Sequence, residues 1–157
     1  PEGLDDSKAL SARRRAMLEA EIKARALCWG LGVASVEEID RINILWATML
    51  AMTRAVEALG RDCQHVLVDG NRVPDWRWPA TPVVGGDARC LSIAAASILA
   101  KEARDRMMRE AAAIHPHYGW ESNKGYGSAQ HLAALRTHGP TPLHRRSFAP
   151  VAQMLLI

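Results

Sequence analysis

Two aspartates stand where strand-forming residues give way to turn residues, and they are the first candidates for chemistry in this chain. Asp69 follows the apolar run 65–68, and Asp87 follows the run 81–84 after two glycines. In open α/β sheets the functional crevice lies beyond the carboxyl ends of the strands. Carboxylate oxygens are the ligands that Mg²⁺ and Mn²⁺ prefer. The pattern therefore predicts a divalent-metal site, with one alternative left open: each aspartate could simply start a turn or cap a helix.

The elements that position these aspartates are predicted to be helices and strands in alternation. In the segment 27–33, large apolar residues alternate with Cys28, Gly30 and Gly32, which is the period-two pattern of a strand. The other predicted elements are strands at 65–68 and 81–84 and helices at 12–23, 44–59, 92–114 and 129–138. Alternating strands and helices favour an α/β layer architecture.

Polar residues at the expected positions mark where several of these helices begin. Ser11, Asn43 and Ser128 each precede a predicted helix and can cap it. Ser35 and Glu38 have the spacing of a capping box, which predicts a short helical turn there.

Length and composition place the chain in the globular class. Its 157 residues, 48% of them hydrophobic and 24% charged, predict one domain spanning 1–157. The three cysteines form no disulfide or zinc-binding spacing, which favours a reducing, cytoplasmic setting. No apolar run approaches the roughly 20 residues of a membrane span, and the acidic start is unlike a signal peptide. We therefore expect no membrane partner.

The positive charge of the chain is concentrated towards its end. The net charge is only +3, but no carboxylate side chain follows Glu121. We expect this stretch to form a cationic surface suited to phosphates, or else a solvated basic helix. Its basic and histidine residues are Lys124, Arg136, Arg145, Arg146, His131, His138 and His144.

Other motifs predict little chemistry. Ser128 follows Gly127 without the closing glycine of a nucleophile elbow, and a helix cap explains it better. His115 and His117 form an isolated pair in a loop, which is more typical of the surface than of a metal site. Neither a dinucleotide-binding glycine pattern nor a Walker lysine is present.

Eight segments, in order and spacing, resemble the bacterial ribonuclease HII family. They are LDDSKALS at 4–11, ID at 39–40, NILWATM at 43–49, VDGN at 68–71, GD at 86–87, SIAAASILAK at 92–101, NKGYG at 123–127 and HRRSF at 144–148. The resemblance implies an α/β RNase H-like fold, a mixed sheet flanked by helices with a C-terminal helical segment. It implies a monomeric endonuclease that cuts the RNA strand of RNA–DNA hybrids, including single ribonucleotides embedded in duplex DNA. Such cuts leave a 5′-phosphate and a 3′-hydroxyl and serve ribonucleotide excision repair.

The resemblance also implies roles for particular residues. Asp69 and Asp87 would be two of four acidic ligands in a two-metal site that takes Mg²⁺ or Mn²⁺. Tyr126 would pack against a sugar beside the cleaved junction, the alternative being a half-buried tyrosine that anchors a loop. Asp105 would have a structural role, as the partner of a nearby basic side chain. The residues expected to contact nucleic acid, chiefly its phosphates, are Lys8, Ser97, Lys101, Lys124, Arg145 and Arg146. All of these except Lys124 could instead balance the carboxylate cluster, and a solvated helix surface remains a further alternative for Lys101.

The family's other two acids are an adjacent Asp-Glu pair within Gly-x-Asp-Glu-x-Gly-Arg-Gly, which precedes the segment that begins here at Leu4. Glu2, Asp5 and Asp6 do not match that pair in position. Two hypotheses follow. Either an upstream segment completes a metal-dependent ribonuclease, or the chain is a catalytically incompetent form that only binds hybrid nucleic acid.

Overall fold

Six helices and two strands form the regular structure of residues 1–154, which are the residues that this computed structural model describes. The strands are β1 (Val66–Asp69) and β2 (Ala80–Val83). The helices are α1 (Ala12–Arg25), α2 (Val36–Glu57), α3 (Leu91–Ile114), α4 (Trp120–Asn123), α5 (Ala129–His138) and α6 (Ala149–Met154). Short 3-10 turns lie at Gly86–Ala88 and Pro116–Tyr118.

The predicted helix starts are confirmed by the hydrogen bonds of their capping residues. The Ser11 hydroxyl accepts from the N–H of Arg14 at 3.3 Å, and the Ser128 hydroxyl accepts from the N–H of His131 at 3.2 Å. Ser35 and Glu38 form the reciprocal capping box, with distances of 2.9 and 3.2 Å. Each bond satisfies a backbone N–H that has no partner within its own helix.

Asn43 interrupts α2 and restarts it. Its backbone is non-helical, with φ 64° and ψ 169°. Its side-chain oxygen accepts from the N–H groups of Leu45 and Trp46 at 3.0 and 3.3 Å. The predicted cap at Asn43 is therefore confirmed, and the short turn expected after Ser35 joins the next helix through a kink.

The two strands form a parallel pair that positions the candidate aspartates. Val66 pairs with Ala80, and Asp69 pairs with Val83. Asp69 is thus the last residue of β1, and Asp87 follows β2 within the 3-10 turn. Both predicted strands are confirmed to within one residue, and strands with flanking helices give the α/β class that was expected.

The prediction of a strand over 27–33 is wrong. These residues form no strand, and the glycines in the segment lie against α2 instead. A Cβ on Gly30 would lie 2.6 Å from the carbonyl oxygen of Ala55, and one on Gly32 would overlap the backbone of Ala51. The small residues of this segment alternate with large ones because the glycines pack closely on α2. This alternation has the same period of two residues as a strand.

The chain divides into two compact units. One comprises Pro1–Val33 and Met49–Glu102, and the other comprises Ala34–Thr48 and the chain from Ala103 onward. In the first unit, Leu18, Ile22, Ile98 and Leu99 form a buried cluster. The cluster of the second unit contains Ala112, Tyr118, Trp120, Ala134, Leu135 and Val151. The single catalytic domain expected over 1–157 stays a prediction.

Within residues 1–154, none of the helices combines the length and the apolar character that a membrane crossing requires. The three cysteines, Cys28, Cys63 and Cys90, are free thiols.

Candidate active site

Asp69 and Asp87 lie together at the carboxyl end of the β1–β2 pair. The N–H of Gly86 donates to Asp69 Oδ1 at 2.8 Å, which ties the end of β1 to the residue that precedes Asp87. Gly86 is needed for this approach, because a Cβ there would lie 2.5 Å from the Ile93 side chain and 3.3 Å from Asp69 Oδ1. Asp87 Oδ1 accepts from the N–H of Ala88 at 3.0 Å. One oxygen of each carboxylate therefore holds the local backbone.

The remaining carboxylate oxygens give the site its capacity for a cation. Asp69 is exposed and Asp87 half-buried, so both are open to water. Among residues 1–154, Asp69 Oδ2 and Asp87 Oδ2 accept no hydrogen bond from the protein. Hard oxygen donors of this kind suit Mg²⁺ or Mn²⁺. No group of three or more His, Cys, Asp or Glu side chains gathers around a possible ion anywhere in this stretch, so the pair fits part of a metal site.

The segment that carries Lys8 is held on the same unit by a buried ion pair. Arg15 Nε lies 2.7 Å from Glu102 Oε1, and both side chains are about nine-tenths buried. Arg15 Nη1 also donates to the carbonyl oxygens of Ser7 and Leu10, at 3.3 and 2.7 Å. Arg15 thus fixes the loop before α1 at two carbonyl oxygens, while Lys8 itself is exposed.

Two of the expected phosphate-contacting residues lie on α3. Ser97 is half-buried, and its hydroxyl donates to the carbonyl of Ala94 at 2.9 Å. Lys101 is half-buried as well, one turn further along the helix. Asp105 is 3% exposed, and the structural role expected for it stays a prediction.

The Tyr126 loop presents its ring to solvent. The side chain is 67% exposed, which excludes the half-buried anchor considered as its alternative. Arg104 braces the loop: its Nη2 donates to the carbonyl of Lys124 at 3.0 Å, and its guanidinium lies 5.8 Å from the Tyr126 ring centre. Lys124 and Gly125 both have positive φ, at 51° and 82°, which turns the chain sharply before Tyr126. Lys124 Nζ donates to the carbonyl of Glu121.

Asp40 anchors the segment that carries Arg145 and Arg146. Its carboxylate accepts from the N–H of Arg146 at 2.8 Å and from the N–H and hydroxyl of Ser147 at 2.9 and 2.7 Å. Desolvation raises the pKa of Asp40, but the hydrogen bonds from Ser147 and Arg146 and the charge of Arg145 outweigh it and hold the pKa below its usual 3.8. The carboxylate is therefore charged at neutral pH. Arg145 lies over Phe148, and Arg146 is exposed.

The histidines do not all belong to the cationic surface that was expected. His131 and His144 are only 3% and 7% exposed, and their Nε2 atoms lie 3.1 Å apart. Desolvation, followed by the neighbouring His131, lowers the pKa of His144 to about 4, so it is neutral at pH 7. The assignment of these two histidines to a charged surface is wrong, because both side chains are buried. His138 is exposed and stacks on His117.

Sequence reasoning missed the roles of Asp40 and of the buried histidine pair. Asp40 lies in one family-like segment and Ser147 in another, so a contact between the two segments could have been suspected. The histidine pair has no comparable signal. The two residues are 13 positions apart, and only the packing of Tyr118 and Trp120 against them reveals that they are buried.

Comparisons with known proteins show which family this chain resembles. Residues 2–151 match the family model described as Ribonuclease HII. The chain is 68% identical over 155 residues to the ribonuclease HII of Sphingopyxis alaskensis, an alignment that covers 99% of the chain and 78% of that protein. It is 64% identical over 168 residues to the ribonuclease HII of Novosphingobium aromaticivorans, covering 100% of the chain and 85% of that protein.

A solved structure supports the fold independently. The crystal structure of the ribonuclease H2 from Pyrococcus horikoshii OT3 superimposes with a TM-score of 0.77 at 20% identity, over 97% of this chain and 80% of that one. At this level of identity the likeness extends to the fold. It agrees with the RNase H-like architecture expected from the sequence.

Proposed function

This chain belongs to the ribonuclease HII family of endonucleases, and we propose that it hydrolyses the RNA strand of RNA–DNA hybrids, including single ribonucleotides embedded in duplex DNA. The observation that carries the proposal is the paired placement of Asp69 and Asp87 beyond the carboxyl ends of two parallel strands. This is where the family resemblance assigns two acidic ligands.

Asp69 and Asp87 would hold a divalent cation, Mg²⁺ or Mn²⁺, through the carboxylate oxygens that accept no hydrogen bond from residues 1–154. In the two-metal site that the family resemblance implies, one ion would activate the attacking water and the other would stabilise the leaving 3′-oxygen, so that the cut would leave a 5′-phosphate and a 3′-hydroxyl. The hydrogen bond from Gly86 to Asp69 fixes that carboxylate before an ion arrives. The protein therefore does not have to order this ligand during the reaction.

Tyr126 would contact the sugar beside the scissile junction. Its exposed ring, braced by Arg104, is available for packing against a nucleotide. Aromatic rings contribute by stacking and shape without reading a particular base. We therefore expect selectivity for the RNA–DNA junction without strong sequence preference.

The basic side chains would contact the phosphate backbone. Arg146 and Lys8 are exposed, and Arg145 sits in a segment anchored by Asp40. Phosphate contacts of this kind depend on salt, because binding releases condensed counterions. The residues assigned to these contacts are Lys8, Ser97, Lys101, Lys124, Arg145 and Arg146.

The experiment uses a DNA duplex with one internal ribonucleotide, an RNA–DNA hybrid and an all-DNA duplex of the same sequence. The protein is incubated with each in Mg²⁺, in Mn²⁺ and in excess chelator. We expect cuts beside the ribonucleotide and within the RNA strand, with 5′-phosphate ends, no cut in all-DNA and no cut in chelator.

Two outcomes would decide against this proposal. Cutting that persists in chelator would show that the aspartates do not work through a metal. Salt-sensitive binding of the hybrid without any cut in either metal would instead support the alternative function, a module that binds hybrid nucleic acid and does not hydrolyse it.

A further inference from the structure

A line of hydrogen bonds runs through buried histidines to the backbone of Tyr126. The N–H of Thr141 donates to His144 Nδ1 at 2.9 Å, and His144 Nε2 lies 3.1 Å from His131 Nε2. His131 Nδ1 lies 2.9 Å from the carbonyl oxygen of Tyr126, which also accepts from the N–H of Ser128 at 2.8 Å. The line ends on the residue proposed to contact the sugar at the junction.

The direction of every bond in this line follows from its two ends. A backbone N–H can only donate, so His144 Nδ1 is an acceptor and its proton is on Nε2. A carbonyl oxygen can only accept, so His131 carries its proton on Nδ1. His144 Nε2 then donates to His131 Nε2, which also accepts from Trp120 Nε1 at 3.2 Å. The two ends thus require two neutral rings with opposite tautomers.

Aromatic rings surround the pair, and the surroundings of His144 favour its neutral form. The rings of Tyr118 and Trp120 pack on both histidines, with centroid distances from 4.8 to 6.0 Å. The nearby titratable groups are His115, whose charge would disfavour a charged His144, and Tyr118, whose hydroxyl donates to Gly139. Burial of the His144 ring disfavours its protonation.

We propose that His131 is a positioning residue for Tyr126: its Nδ1–H holds the Tyr126 carbonyl, and His144 fixes the tautomer that makes this donation possible. The inference rests on the proposed role of Tyr126 at the junction. It assigns His131 no contact with substrate, since the side chain is buried behind the loop.

Two substitutions of His131 separate positioning from simple packing. His131→Asn places an amide N–H near the position of Nδ1 and keeps the donation to Tyr126. His131→Gln places its amide near the position of Nε2, so it keeps a partner for Trp120 and loses the donation. Both remove the same ring from the core. His138→Gln, at an exposed position on the same helix, is the matched control.

The readout is the ratio of two cleavage rates, on duplex DNA with one ribonucleotide and on a continuous RNA–DNA hybrid. We expect His131→Gln to lower this ratio about fivefold, the effect of one ordinary hydrogen bond. His131→Asn and His138→Gln should keep the ratio near the wild-type value. An unchanged ratio in His131→Gln, or equal losses in the Asn and Gln variants, would overturn the inference.

A second measurement needs no variant and covers the case in which the substitutions prevent folding. Nitrogen-15 NMR of the imidazole rings in the wild-type protein reports which nitrogen carries the proton. The structure requires Nδ1–H on His131 and Nε2–H on His144 at pH 7. The opposite tautomers, or charged rings, would overturn the inference even if Tyr126→Ala shows that the tyrosine itself acts at the junction.

Discussion

At the scale of the single residue, the two carboxylate oxygens of Asp69 have different roles. Oδ1 accepts from the N–H of Gly86 and joins the end of β1 to the turn after β2, while Oδ2 accepts no hydrogen bond from residues 1–154. An aspartate that starts a turn and an aspartate that binds a cation are often treated as competing explanations. Here one carboxylate can serve both purposes, because the backbone of residues 1–154 engages Oδ1 and leaves Oδ2 for an ion.

Tyr126 gives a prediction at the same scale. Its ring is exposed, and its backbone is held independently, by His131 and the Ser128 N–H at the carbonyl and by Asn123 at the N–H. We expect Tyr126→Ala to reduce cleavage at a single embedded ribonucleotide about tenfold or more, since stacking on one aromatic ring contributes about 1–3 kcal/mol. Tyr126→Phe keeps the ring and should retain most of that activity. The assay is steady-state cleavage of the single-ribonucleotide duplex.

Equal losses in Tyr126→Ala on that duplex and on a continuous hybrid would contradict a role at the junction. So would a Phe variant as poor as the Ala variant, because that result would point to the hydroxyl and away from the ring face.

At the scale of the elements, what could be predicted from sequence depended on how local the cause was. The caps at Ser11 and Ser128 were predicted because a hydroxyl and an N–H three residues later decide them. The strand at 27–33 was predicted wrongly because its glycines pack against α2, and the α2 residues that they contact lie about twenty positions later. The burial of His131 has a similarly distant cause, in the packing of Trp120.

Asn43 offers a prediction about one element. The backbone of Asn43 has φ 64° and ψ 169°, a conformation that costs residues other than glycine about 1–3 kcal/mol of conformational free energy. Its side chain offsets this cost by capping the second half of α2. Asn43→Ala keeps the strain and loses the cap, so we expect a loss of about 1 kcal/mol or more in unfolding free energy. Asn43→Gly loses the cap but relieves the strain, so it should be the more stable variant. Urea unfolding measures both.

If Asn43→Ala were as stable as the wild type, the side-chain cap would have no energetic role. If it were more stable than Asn43→Gly, the positive φ would not be a source of strain.

At the scale of the whole molecule, charge is distributed unevenly. Two of the histidines do not contribute the surface charge that composition suggests. The acid-poor stretch after Glu121 keeps Lys124, Arg136, Arg145 and Arg146 as its permanent charges. His131 and His144 are buried, and they contribute to packing and loop position rather than to attraction for phosphate. Counting basic residues in the sequence could locate the stretch, but it could not separate surface charge from core.

The stability of the protein should respond to pH through His144. Its pKa falls from 6.5 to about 4 on folding, so the unfolded state binds a proton more readily. The stabilisation is complete above pH 6.5 and is lost as pH falls towards 4, at up to about 1.4 kcal/mol per pH unit. Urea unfolding between pH 7 and 4.5 measures the slope. His144→Asn removes the titrating ring, and its slope should be clearly smaller over this interval.

Asp40 provides the internal check on that experiment. Its folded pKa lies below its usual 3.8, so its contribution is intact throughout that interval and is lost only at lower pH. An equal slope in the wild type and His144→Asn between pH 6.5 and 4.5 would contradict the buried, neutral state of His144.

The most direct measurement compares cleavage of the single-ribonucleotide duplex by the wild type, Asp69→Asn and Asp87→Asn in saturating Mn²⁺. The amide keeps an oxygen that can accept from Gly86 or Ala88, so the variants should fold and bind the duplex. Loss of a residue that merely supports a metal ligand typically costs 10–100-fold, so loss of a ligand charge should cost more than about 100-fold in rate. Wild-type rates in either folded variant would contradict the assignment of Asp69 and Asp87 to the catalytic metal.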